Sequence, residues 1–120
     1  RLPLWLAPTQ IVIASITTNM DKYIEEVASL FKDVKLRCKV DNRNEKINYK
    51  VREHSLSKIP LIAVVGEKEI KDRSINLRRL GQKESQTISL TDAIRDLSIE
   101  AKPPDLKVEN DHVEKLMGTN

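Results

Sequence analysis

The sequence predicts a three-layer α/β domain built on a mixed β-sheet, and three observations lead there. Two runs, "QIVIASI" at residues 10–16 and "IPLIAVVG" at 59–66, are almost unbroken in apolar and β-branched residues, as in strands covered on both faces. Apolar residues between and after them recur at helical spacing. The resulting order is strand, helix, strand, helix, strand, two short strands, helix, an alternation that belongs to α/β folds.

The opening "RLPLWLAP" is broken by Pro3 and Pro8, so it suits neither a helix nor the apolar part of a signal peptide. Residues 1–8 read as the end of a connection from an upstream domain. After the first strand, Thr17, Thr18 and Asn19 offer N-caps to a helix whose buried side is Ile24, Val27, Ala28 and Phe31. In "KLRCKV" (35–40), Leu36, Cys38 and Val40 alternate with Lys35, Arg37 and Lys39, the pattern of an edge strand with charges outward. Residues 44–57 are expected to be helical, with Ile47 and Val51 toward the core. The second buried strand closes at Gly66. "EKEIKDRS" reads as a turn, "INLRRLG" and "SQTISL" as short outer strands. The last helix starts near Thr91 and buries Leu90, Ile94 and Leu97. Pro103 and Pro104 end it, which sets the domain at 9–101 and leaves 102–120 as a polar, mobile tail.

A chain of 120 residues supports one hydrophobic core. Lys and Arg number 21 against 18 Asp and Glu, a formal charge of +3 that is compatible with a polyanionic partner without demanding one. The single cysteine, Cys38, excludes an internal disulfide and suggests a reducing compartment, the cytoplasm; it is expected to serve as a small core hydrophobe. No run is long and apolar enough to span a membrane as a helix. Catalytic signatures are missing from the pattern. His54 and His112 lie far apart, so no metal-ligand spacing forms, and His54 is expected to cap carbonyls at the end of its helix. With 3 glycines there is no phosphate loop or dinucleotide fingerprint, and no Ser or Cys nucleophile has a nearby His.

Polar side chains do converge. Helical spacing would place Glu45, Asn48, Tyr49 and Arg52 on one face away from Ile47 and Val51, flanked by Lys46 and Lys50. Two lysines four apart repel by a few tenths of a kcal/mol, unless something negative lies across them. A second set, Glu67, Lys68, Glu69, Lys71, Arg73, Arg78 and Arg79, follows the second buried strand. A solvated charged face is the plain alternative. Against it stands position, since open α/β sheets bind ligands beyond the C-terminal ends of their strands.

"WLAP-Q", "D-RNEKINYKVREH", "KIPLIAVVGEKE" and the Arg-Arg before Gly81 resemble the C-terminal anticodon-binding domain of the threonyl-tRNA synthetases, over residues 3–101. Prolyl, glycyl and histidyl members of class IIa share the scaffold, and the Asn-Glu-Lys-Ile run favours the threonyl branch. The resemblance implies a five-stranded mixed sheet in an α/β/α sandwich, attached to a catalytic domain that charges threonine tRNA using ATP, Mg and Zn in a homodimeric ligase. This part would be non-catalytic and grip the anticodon loop. By similarity, base reading falls on Asn44, Arg52, Glu69 and Arg78, and backbone holding on Lys46, Lys50 and Arg79. RNA loops are read by splaying and stacking bases and bonding their edges. The shared middle guanine of threonine anticodons suits Glu69 and Arg78, and the third-position uracil suits the Asn44 amide.

The chain departs from the pattern twice. Asn48 stands where many members carry Gly, and its amide could add a contact. The strand before Gly81 looks short, which leaves Arg78 against Arg79 open by one position; alternation lets only one face the RNA, and Arg78 is preferred. Competing readings are an anticodon-like accessory or dimerisation domain, a small flavodoxin-like protein, and an α/β interaction domain.

Overall fold

In the computed structural model, which describes residues 3–104, a five-stranded sheet of order β2-β1-β3-β4-β5 forms the centre. The strands are β1 (Ile11–Ser15), β2 (Cys38–Asp41), β3 (Leu61–Val65), β4 (Ser74–Arg79) and β5 (Ser85–Ser89). The helices are α1 (Asp21–Asp33), α2 (Ile47–Leu56), α3 (Glu67–Asp72) and α4 (Leu90–Glu100). β1 runs parallel to β2 and β3, while β4 and β5 turn antiparallel, giving the mixed sheet. Residues 105–120, with the expected tail and His112, lie outside the described residues.

Strand alternation divides the core in two. On one face Ile11, Ile13, Leu61, Ala63, Val65, Ile75 and Leu77 meet the apolar stripes of α1 (Ile24, Val27, Phe31) and α4 (Leu90, Ala93, Leu97). On the other, Ala14, Ile62 and Val64 meet Ile47 and Val51 of α2. Both central strands are buried along their whole length, as their apolar runs require. The entry segment is tied down: Leu4–Leu6 forms a 3₁₀ turn, and Gln10 Nε2 donates to the Leu4 carbonyl at 3.1 Å. Arg37 braces the same segment, donating to the Ala7 carbonyl at 2.7 Å and the Trp5 carbonyl at 3.1 Å.

Several local expectations give way. α1 starts at Asp21 with Met20 as N-cap and no side-chain cap; the Thr17–Asn19 positions stay in the preceding turn. β2 begins only at Cys38, because Lys35 adopts φ 66° at the end of α1 and breaks the extended run. Its alternation also reads differently: Val40, expected inward, is 40% exposed, and the next residue, Asp41, is buried. Ile94 is only partly buried and packs against the core, with Ala93 fully inside. "EKEIKDRS" is not a turn. It forms α3, initiated by a capping box in which the Gly66 N–H donates to Glu69 Oε1 at 2.8 Å and closed by Arg73 in the left-handed region. A Cβ on Gly66 would come within 2.8 Å of Ile16 Cδ1, the end of an exposed side chain that can move aside.

Candidate nucleic-acid interface

The sheet face carrying α2 is unevenly covered. α2 packs over β1 and β3 through Ile47 and Val51, while Asn76 and Arg78 of β4 are half-buried and Ser85 and Thr87 of β5 are exposed. In the sheet register Asn76 lies opposite Val64 and Thr87, and Arg78 opposite Ile62 and Ser85, so all four belong to this face. A helical wall therefore stands beside a polar shelf of sheet. α2 starts at Ile47 with Lys46 as its N-cap, so Asn44, Glu45 and Lys46 belong to the β2–α2 loop rather than to the helix. Glu45 consequently shares no helical face with Asn48, Tyr49 and Arg52, and Lys46 and Lys50 are not a pair on one helix.

The strand register separates the two arginines. Arg79 pairs with Leu61 on the opposite face and forms a two-pronged ion pair with Glu100 of α4, at 2.6 and 2.9 Å. Its role is to join β4 to α4, and the backbone-holding assignment does not suit it. Arg78 lies on the α2 face; its Nε is buried without any hydrogen-bond partner. A buried donor left unmade costs about 1–3 kcal/mol, and Arg78 Nε shares that condition with Ser74 Oγ among the described residues. Arg52, Asn44, Lys46 and Asn48 are exposed, and none of their side chains is engaged by another described residue. Tyr49 is 47% exposed and offers a ring for stacking.

Glu69 is buried, 7% exposed, at the C-terminal end of β3, and one of its oxygens caps α3 by accepting the Gly66 N–H. The second oxygen lies outside that bond. Lys50 departs furthest from expectation. It is 1% exposed, and its Nζ donates to the Ser15 carbonyl (2.9 Å), Ser15 Oγ (3.2 Å) and the Asp41 carbonyl (3.4 Å). Burial pushes its pKa down. A lysine spent on the carbonyl ends of β1 and β2 cannot hold a phosphate, so Lys50 is a structural strut.

One cluster escaped the sequence. Asp41, buried at the end of β2, accepts from Arg43 Nε and Nη2 at 2.9 Å each and lies 2.7 Å from His54 Nε2. Arg43 Nη2 also reaches Glu53 Oε1 at 2.5 Å. His54 thus bonds a side chain of β2 and does not cap helix carbonyls. Burial alone would raise the Asp41 pKa, but the hydrogen bonds from Arg43 and His54 outweigh it and hold the carboxyl well below the usual aspartate range. Ligand atoms of Asp41, Glu53 and His54 converge within 4.8 Å. Arg43 already supplies the cation there, and the set does not fit a zinc ion. Only the acid at a strand end followed by Arg43 and, on α2, Glu53-His54 signalled this cluster, across a loop that periodicity does not describe.

A family model described as "Anticodon binding domain" matches residues 10–98. The threonine–tRNA ligase of Caulobacter sp. (strain K31) is 55% identical over 106 residues, covering 88% of this chain and 16% of that protein. The chain thus spans a small part of the curated relatives it matches. Among solved structures, the RNA binding domain of threonyl-tRNA synthetase from Cryptosporidium parvum Iowa II superposes with a TM-score of 0.79 at 27% identity, over 85% of this chain and 26% of that one. A prolyl-tRNA synthetase from Cryptosporidium parvum superposes with a TM-score of 0.73 at 26% identity, over 90% of this chain and 22% of that one.

Proposed function

This chain belongs to the anticodon-binding domain family, and from that premise we propose that it grips the anticodon loop of threonine tRNA for a longer threonine–tRNA ligase. The observation that supports this best is Arg78: a half-buried guanidinium on the sheet face that carries α2, its Nε buried and unpaired, on a domain whose Arg52 (α2) and Asn44 (β2–α2 loop) are exposed. In this reading Arg78 donates to the O6 and N7 acceptors of the middle guanine, and the outer oxygen of Glu69 accepts from its N1–H and N2–H. The Asn44 amide complements uracil, and Arg52 bonds or stacks on a base, with Tyr49 as a further stacking surface. Lys46 and the exposed Asn48 hold the backbone.

The threonyl assignment follows the relatives, which are named threonine–tRNA ligases at about half identity. The charging reaction, with its ATP, magnesium and zinc, belongs in this proposal to a catalytic domain of the longer protein, as does a homodimer contact, all in the cytoplasm. No helix among the described residues is long and apolar enough to cross a membrane.

Titrating the chain with an RNA hairpin carrying a threonine anticodon, and with one altered at the middle base, tests the proposal. The altered hairpin is expected to bind roughly 10-fold or more weakly, the scale of one lost bidentate base contact. Equal affinity for both hairpins would remove the base-reading role.

A further inference from the structure

We propose that Arg43 is a positioning residue for anticodon discrimination: it sets the β2–α2 loop so that Asn44 meets its base, without touching the RNA itself. The inference rests on the base-reading role proposed for Asn44. Arg43 is anchored on the protein through Nε and Nη2, by the buried Asp41 carboxylate on the strand side and by Glu53 on the helix side. Its backbone N–H donates to Asp41 Oδ1 at 3.3 Å, and its carbonyl accepts from Glu45 N–H at 2.9 Å, so the peptide units on both sides of Asn44 are fixed. Beneath the loop, Lys50 Nζ holds the Asp41 carbonyl. Asn44 sits between the two braced peptide units with its side chain exposed and without a hydrogen-bond partner among the described residues. A loop braced this way presents the amide already ordered, and the ordering cost is met in folding rather than in binding.

Two roles for Arg43 make different predictions. A direct phosphate contact would act on all RNAs alike and contribute to the salt dependence. A positioning role acts through Asn44 alone. It also needs the planar fork, which lysine cannot supply. The test compares Arg43→Gln, Arg43→Lys, Asn44→Ala and Arg43→Gln/Asn44→Ala in this chain. Affinities are measured for the threonine hairpin and for a hairpin altered at the base that Asn44→Ala identifies, at two salt concentrations.

Arg43→Gln is expected to lose severalfold to about tenfold of the discrimination at that base, with an unchanged salt slope. Arg43→Lys should not restore it, and the double variant should be no worse than Asn44→Ala. Additive losses in the double variant, rescue by lysine, or a flattened salt slope would each overturn the positioning role while leaving base reading intact. No loss of discrimination in Asn44→Ala itself would instead remove the base-reading assignment and this inference with it. Arg43 pairs with a buried carboxylate, so the folding of each Arg43 variant is followed by urea unfolding beside the titrations. Should Arg43→Gln unfold, Glu53→Gln releases only the helix-side anchor and is expected to shift discrimination in the same direction; an unchanged ratio there would contradict the proposal.

Discussion

Arg78 and Arg79 stand side by side on β4, yet the strand sends one to each face of the sheet. Arg79 ends in the Glu100 carboxylate; Arg78 is half-buried on the face that carries α2, with an unpaired Nε. Arg78→Ala should therefore cost ~1–3 kcal/mol of RNA binding, concentrated at one base. Arg79→Ala should leave RNA affinity unchanged and cost at most about 1 kcal/mol of stability, because its ion pair is partly open to solvent. Hairpin titrations and urea unfolding read the two effects separately. Asp41 is expected to contribute to the acid limb of stability. Its pKa is depressed in the folded chain, so its contribution is whole above the ordinary aspartate value of about 3.9 and is lost as pH falls below it. Asp41→Asn should flatten that limb when urea midpoints are followed from neutral to acid pH. An unchanged acid limb would mean that Asp41 is not its source.

At the scale of elements, helix ends carry more of the design than helix middles. α1, α2 and α3 each end with a basic residue in the left-handed region: Lys35 at φ 66°, Lys58 at 64° and Arg73 at 51°. Glycine adopts this conformation without the Cβ clash. Lys58→Gly should therefore raise stability by up to about 1 kcal/mol, read as a higher urea midpoint; a lower midpoint would show that the lysine stem contributes packing that outweighs its strain. The same ends explain what periodicity could and could not reveal. The two central strands and the buried stripes of α1 and α4 were legible, because long apolar runs and repeats at 3.6 residues need only local sequence. α3 was not, since six residues hold too few turns for a repeat and its start depends on the Gly66–Glu69 capping box. The onset of α2 was set three residues early, which misplaced Glu45 and turned Lys46 and Lys50 into false helical neighbours. Lys50 has no local signature of its role, because its Nζ lies under the helix against carbonyls of β1 and β2, a tertiary contact.

Across the whole molecule, function follows from incomplete coverage. α1 and α4 cover one face of the sheet, while α2 covers only β1 and β3 on the other. The polar residues of β4 and β5 on that side are thereby left beside an exposed helix wall. The fold leaves Asn44, Lys46, Asn48 and Arg52 exposed and Arg78 half-buried on the α2 face, spends Lys50 and Arg79 on the protein itself, and uses one oxygen of Glu69 to cap α3. Mapping backbone amide shifts by NMR while adding a threonine anticodon hairpin tests this most directly. Shifts should concentrate in the β2–α2 loop, the outer side of α2, the start of α3 and the Asn76–Arg78 stretch of β4, and at Arg78 they should change when the middle base is altered. Shifts gathered on the α1–α4 face, with the groove silent, would contradict the account.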